Sequence, residues 1–496
     1  MKRSLPLFFL PSFLLFFGCA SFLSQRVPQT LERPRDCQEF FDRLDEKIEE
    51  AGARDASVSR IPGFPYLRAN RFLSALKDQL KDDKGKEMWV RWMQQLDLRS
   101  REKEINNLPD AMVLFLTSKE RDRPDRKGLY ARVESCSSIL RNHDQSRTDF
   151  FSTLDPFVDV PDEYSTLLRV AGIYPLIALP VAAVTEKSRN KIRSWFDANI
   201  DNLPIDGRIT AFVPEKEGFL SEQEIGEIIE KARDNPLGVP FPDEAQGKRL
   251  VESFAPVFLQ DVAAPYDRIG RIVWKGDRVA IDPEKPTVYY YLSQAFLKGS
   301  PILQLNYVIW YSDRSGDRPP SIEKGHLDGL TIRISLDDRG KPFMVEAMMN
   351  CGCYHLFAPE KDSVERIVSR SLQFDAFIPQ WLPAFFPGKR IGVRVSSGWH
   401  QVQRLIAVEG EKTFIHYELV PYDLLESLPI EEWGTKSIFD AKGIGKGSER
   451  VERFILFSMG IPSIGSMRQR GHHAIELIGR VHFDDPHLFD QSFIFK

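Results

Sequence analysis

The chain has 496 residues, 42% of them hydrophobic and 28% charged, with a formal net charge of −4. That is the balance of a globular protein able to bury a large core, and the length allows two or three domains. There is no basic excess to neutralise phosphates, so nucleic acid is not an expected partner.

The N-terminus reads Met1-Lys2-Arg3, then an apolar run from Leu5 to Phe17, then Gly18-Cys19. The run has 13 residues and is interrupted by Pro6 and Pro11. A spanning helix needs about 20 apolar residues, so this is an export signal rather than a membrane anchor. Phe16-Phe17-Gly18-Cys19 resembles the lipobox of bacterial lipoproteins, with Phe16 where Leu is commonest and Phe17 where a small residue is usual. The resemblance implies removal of residues 1–18 and acylation of Cys19, which would tie the protein to a membrane through lipid. In that class Asp after the cysteine retains a protein in the inner membrane. Ala20 therefore implies the outer membrane, with the chain facing the periplasm or the cell surface.

Residues 19–35 read as a lipidated tether, polar and without apolar periodicity. Residues 36–160 read as a helical domain. Phe40, Phe41, Leu44 and Ile48 recur at three- and four-residue steps, and Met88, Trp89, Trp92 and Met93 form a second stripe. Export places Cys37 and Cys136 in an oxidising compartment. Either a disulfide between them or two buried thiols is consistent with the sequence.

Residues 161–248 form an apolar bridging segment and helices. The run VAGIYPLIALPVAAV over 170–184 is short for a membrane span, and Pro175 and Pro180 are expected to break a helix. It is expected to be a buried interdomain segment. The alternative is a patch that dips into a membrane surface, with Lys187, Arg189, Lys191 and Arg193 beside anionic head groups. Ser221-Glu222-Gln223-Glu224 is a capping box opening a helix to about Arg233.

Residues 249–449 carry β-branched and aromatic runs separated by turn clusters: Thr287–Tyr291, Ile302–Tyr311, Leu330–Leu336, Phe343–Met348, Ile391–Val395, Val402–Val408 and Phe414–Val420. The fold class is α+β: a helical N-terminal domain followed by a mostly antiparallel β-rich domain with helical insertions. Residues 450–496 form a C-terminal His-rich segment.

Of nine histidines only His143 precedes residue 320. The sharpest donor cluster is Cys351-Gly352-Cys353-Tyr354-His355. Antiparallel pairing about the turn Asp337-Asp338-Arg339-Gly340 brings His326 and Asp328 to the same end of the hairpin. His326, Cys351, Cys353 and His355 then form a possible zinc or copper site, with Asp328 as support behind the ligands or as a base. Two other readings stand beside it. Cys351 and Cys353 cycle between dithiol and disulfide, or the corner is structural and the protein is a non-catalytic envelope lipoprotein that binds envelope protein partners. A possible second site lies in the tail, where a helix would put His472, His473 and Glu476 on one face with His482 nearby. No reaction is legible, and no cofactor beyond zinc or copper is implied.

Overall fold

The computed structural model describes residues 32–117, 123–216, 218–409, 414–430 and 434–496. The export signal and Cys19 lie outside the described residues. In the helical region, α1 (Glu32–Glu50), α2 (Asp83–Asn106) and α3 (Arg126–Gln145) surround a small hairpin, Ser59–Ile61 with Phe64–Ala69. The apolar stripe of α1 is buried in full at Phe40, Phe41, Leu44 and Ile48. Cys37 on α1 and Cys136 on α3 are joined by a disulfide across 99 residues of sequence. Charge is buried in this core as well. The Arg68 guanidinium donates to both oxygens of Glu104 at 2.9 and 2.6 Å and to Asp97 at 3.0 Å, and all three side chains are inaccessible. The fork engages both oxygens of Glu104 and one of Asp97, which offsets much of the cost of burying them.

The larger region is built on one ten-stranded mixed sheet. Its strands in chain order are β1 (Arg208–Pro214), β2 (Val257–Val262), β3 (Thr287–Leu297), β4 (Ser300–Arg314), β5 (Gly325–Leu336), β6 (Pro342–Met349), β7 (Leu356–Pro359), β8 (Arg390–Val395), β9 (Val402–Val408) and β10 (Phe414–Pro421). Their spatial order is β7-β6-β5-β4-β3-β10-β1-β2-β8-β9. Three junctions are parallel (β3–β10, β10–β1 and β2–β8) and the other six antiparallel. The α+β reading therefore holds, and every β run singled out in the sequence lies within a strand. β1 is an addition, because it comes from the bridging segment and enters the middle of the sheet. The capping box at Ser221 opens α6 (Glu222–Ala232), which buries Ile225, Ile228 and Ile229 in the main core with α7 (Glu244–Phe254).

The apolar run at 170–184 corrects two expectations. It is helical, as α4 (Thr166–Ala171) and α5 (Tyr174–Asp197), and it is not buried. Pro175 sits in the first turn of α5, where no intrahelical N–H is needed. Pro180 lies inside the helix, on an exposed turn where solvent can reach the carbonyl it leaves unpaired. Leu176 is 66% exposed and Leu179 72%. Further along, Ile192 and Phe196 of the same helix join the main core. No helix among the described residues is long and apolar enough to cross a membrane.

The helical region docks on the sheet region through paired charges. Lys103 meets Glu426 at 2.5 Å and Asp423 at 2.7 Å, Arg470 meets the same two carboxylates, and Gln469 bridges Asp55 and Glu426 at 2.9 Å each. Removing the disulfide with Cys37→Ala/Cys136→Ala frees a loop of about 100 residues in the unfolded chain. The chain-entropy account sets the expected loss at up to about 5 kcal/mol. Chemical denaturation of the oxidised protein and of the variant checks this.

Candidate functional site

At one end of the β4–β5 hairpin the sheet carries a chain of buried charges. Arg314, the last residue of β4, donates to both oxygens of Asp328 at 3.0 and 2.8 Å and to Glu323 at 2.8 Å. Glu323 also accepts from Tyr354 Oη at 2.6 Å and Trp399 Nε1 at 3.0 Å. Asp328 in turn meets His400 Nδ1 at 2.8 Å, and His400 Nε2 meets Asp267 at 3.2 Å. The Tyr311 ring lies flat on the imidazole, with centroids 3.8 Å apart. Asp267 is itself satisfied by Ser397 Oγ and by the backbone N–H groups of Gly398, Ala263 and Ala264.

Burial works against the charges of Arg314, Asp328, His400 and Asp267, and their partners outweigh it. Arg314 and His400 hold the Asp328 carboxyl well below the usual carboxylate range. For His400, burial lowers the affinity for a proton, but its hydrogen bonds to Asp267 and Asp328 raise it above its ordinary value. The imidazole is clamped between two carboxylates, which favour its protonated form. This is not a nucleophile–His–acid triad, because both ring nitrogens are engaged by carboxylates. The backbone is bent to assemble the chain: Leu327, Tyr354 and His400 all adopt positive φ (57°, 55° and 53°). Such strain in non-glycine residues persists where surrounding contacts over-determine it, and it gathers at functional sites.

The thiols lie beside this chain. After β6 the strand ends in a tight turn in which Asn350 N–H donates to Gly329 O and Gly352 N–H to Met349 O. Gly352 has φ 88°, and a Cβ there would lie 2.3 Å from the Ala474 carbonyl oxygen. Only glycine fits. Cys351 is buried and Cys353 half-buried, neither is in a disulfide, and the two thiols interact closely enough to shift each other's ionisation. Burial raises the Cys351 thiol, but the interaction with Cys353 and the Arg314 charge win and bring it down to about 7. Cys353 is pushed up by the same interaction.

Both sulfurs face a cavity of about 390 Å³ between α5, the sheet and the C-terminal segment. Most of its wall is apolar, including Val181, Val184, Leu330, Met349, Ile461 and Ile464. Three carboxyls break that wall: Glu323, held by Arg314, and two with raised proton affinity. Glu452, in α8 (Glu452–Ile455), is raised to about 8 by burial and by the nearby Glu323 and Cys351. Glu476 is raised to about 7 by burial, opposed by its ion pair with Arg189. Near neutral pH the cavity therefore presents a thiolate-prone sulfur and two carboxyls that hold protons readily.

The residues singled out in the sequence are only partly brought together. The hairpin exists, with Leu330 opposite Met349, two places from the expected register. Leu327 interrupts the extended alternation, and His326 does not join Asp328. Its Nε2 meets the Val279 carbonyl at 2.8 Å and its Nδ1 faces Asp313. His355 lines the cavity, but its Nε2 is taken by Glu346 at 3.0 Å. Among the described residues, no three or more His, Cys, Asp or Glu side chains are placed to hold a metal ion. The zinc or copper reading gains no support from this arrangement.

The tail does not form the helix that its His/Glu spacing requires. Ala474 bridges His482, and Ile475 N–H donates to Val481 O, a hairpin-like return with Gly471 and Gly479 at positive φ. His472 meets Glu163 at 2.9 Å, His473 lies 3.7 Å from Asp484, and His482 lies 3.2 Å from Asp162. Glu476 alone faces the cavity. Sequence reasoning missed Arg314, Glu323, His400, Asp267 and Glu452. No protein-family model matches this sequence, and it matches no curated protein and no solved structure.

Two outcomes follow. Asp328→Asn leaves Arg314 and His400 without their shared buried anion, and loss of one partner of such a pair costs about 3–5 kcal/mol; chemical denaturation reads it. Glu452 binds its proton more tightly folded than unfolded, so its share of stability falls as pH rises from 4.5 toward about 8. Glu452→Gln removes that slope, as denaturation midpoints across the window will show.

Proposed function

We propose that this chain is a lipid-anchored envelope protein that carries out thiol–disulfide exchange, with Cys351 as attacking sulfur and Cys353 as resolving sulfur. The observation that carries the reading is the placement of both free cysteines on the wall of one cavity, with the Arg314 charge acting on Cys351. The Cys37–Cys136 disulfide supports export to an oxidising compartment, as the lipobox-like Cys19 implies.

The exchange balances as follows. The Cys351 thiolate attacks one sulfur of a substrate disulfide. The substrate S–S bond breaks and the departing thiolate takes a proton, for which Glu452 is the neighbouring donor. Cys353 then loses its proton and attacks Cys351 in the mixed disulfide. The Cys351–substrate bond breaks and the second substrate thiolate leaves. Two electrons pass to the substrate, and the chain is left with a Cys351–Cys353 disulfide. Such a closely spaced bridge is strained, and strained bridges are the labile, exchangeable ones.

The test is incubation with glutathione disulfide followed by intact-mass analysis. The wild-type chain is expected to lose two hydrogen atoms, about 2 Da, with no retained adduct, Cys353→Ser to trap one glutathione on Cys351, and Cys351→Ser to stay unmodified. Equal, slow labelling of both cysteines would overturn the reading. So would one zinc or copper per chain that is lost in Cys351→Ser, which would favour the metal reading.

A further inference from the structure

We infer that the α4–α5 protrusion, with the neighbouring segment Val451–Phe457, inserts into a lipid bilayer surface, and that the cavity beside it takes a lipid acyl chain. The acyl assignment names a ligand for the cavity that the two cysteines line, and neither it nor the insertion surface depends on the thiol reading.

The argument begins with the pattern of exposure on α5. Leu176, Ile177 and Leu179 are exposed with Pro175 and Pro180 between and beside them. At about 100° per residue Leu176, Ile177 and Leu179 span about 160° of the helix circumference, and Pro175 and Pro180 widen the exposed apolar sector to about 200°. That is broader than the roughly 100° stripe by which a helix packs on one protein face, and it suits an apolar phase into which the helix sinks. Leu167, Val170 and Ile173 extend the surface over α4 and its turn, where Ile173 takes φ 50°. Phe454 and Ile455, 69% and 52% exposed, lie on α8 just before the segment Phe457–Met459, which packs against both α4 and α5.

Charge points the same way. Between Glu163 and Glu186 the chain has no acidic side chain. Its one basic residue there, Arg169, is turned onto the Tyr164 and Tyr174 rings. Exposed Lys187, Lys191 and Arg193 follow on α5, cations in a chain of net charge −4. Apolar tip and basic collar match the acyl and headgroup layers of an anionic membrane. From Tyr174 to Val184 the helix rises about 16 Å, roughly half the thickness of a hydrocarbon core, so it enters one leaflet and does not span. With Cys19 acylated, the residues up to Glu32 reach at most about 45 Å, which keeps the body close to the surface.

The cavity is continuous with this surface. Pro180, Val181 and Val184 of α5 and Leu456 next to α8 line it. A chain entering between them would stay in apolar surroundings from bilayer to thiols.

The test uses a chain beginning at Ala20, which retains every residue of the buried cores. It is floated with vesicles of phosphatidylcholine containing phosphatidylglycerol, and cis-parinaric acid is titrated into it separately. The wild-type chain is expected to float and to take up the probe. Leu176→Glu/Leu179→Glu/Phe454→Glu is expected to lower the floated fraction about tenfold or more while circular dichroism and Cys351 labelling stay unchanged. Ser188→Trp, which fills the cavity from α5, is expected to float and to lose the probe. A wild-type chain that remains at the bottom of the gradient overturns the insertion surface. A dimer that the triple variant dissolves, without flotation, assigns the patch to a second copy instead. Flotation without probe uptake overturns the acyl assignment alone. None of these results depends on the glutathione experiment.

Discussion

The Arg314 guanidinium is the group on which the candidate site depends. It is inaccessible to water, so its charge must be met by protein. Asp328 and Glu323 meet it, and each anion then imposes a further partner. Asp328 takes His400, His400 takes Asp267, and Asp267 is closed by four hydrogen-bond donors from two loops. Glu323 takes Tyr354 and Trp399. A single buried cation thereby ties β4, β5, the turn after β6 and the loop between β8 and β9 into one corner. The same charge lies close enough to Cys351 to favour its thiolate.

That corner is rigid and polar, whereas the cavity it adjoins is apolar. The contrast explains the unequal ionisation of the wall. A carboxyl with a cation in contact stays charged in a buried place, as Asp328 does. A carboxyl facing apolar side chains and another anion does not, and Glu452 keeps its proton up to about pH 8. A sulfur that ionises readily and an acid that holds its proton are the two halves of an exchange site, and burial with different neighbours produces both.

The two regions of the chain are held by the same kind of device. Arg68, Glu104 and Asp97 occupy the helical core, and Lys103, Arg470, Glu426, Asp423 and Asp55 fill the contact with the sheet region. Replacing one member of such a set leaves another charge buried alone. Conformational specificity follows, because a shifted docking would strand several charges at once. The contact also brings the C-terminal segment, through Gln469 and Arg470, back against the helical domain. This fixes the strand-like return that places Glu476 at the cavity.

Local patterns were read well from the sequence. Period-3.6 stripes marked α1 and α2, β-branched runs marked seven of the ten sheet strands, and Ser221 marked α6. These signals depend on neighbours a few residues away, and the sequence contains those neighbours. The Cys-Gly-Cys corner was also legible, because its donors are adjacent and Gly352 is required there. The sequence could not show which distant groups answer a buried charge. Arg314, Asp328, His400 and Asp267 come from four separate places, and one residue at positive φ, Leu327, was enough to turn His326 away from them. Whether 170–184 was buried or exposed was equally beyond local reading, since an apolar run carries the same signal in a core and on a surface. Composition, periodicity and the thiol motif were determined by the sequence alone. The partner of each charge and the side of each apolar residue were decided by tertiary structure, because both depend on segments brought together only by folding.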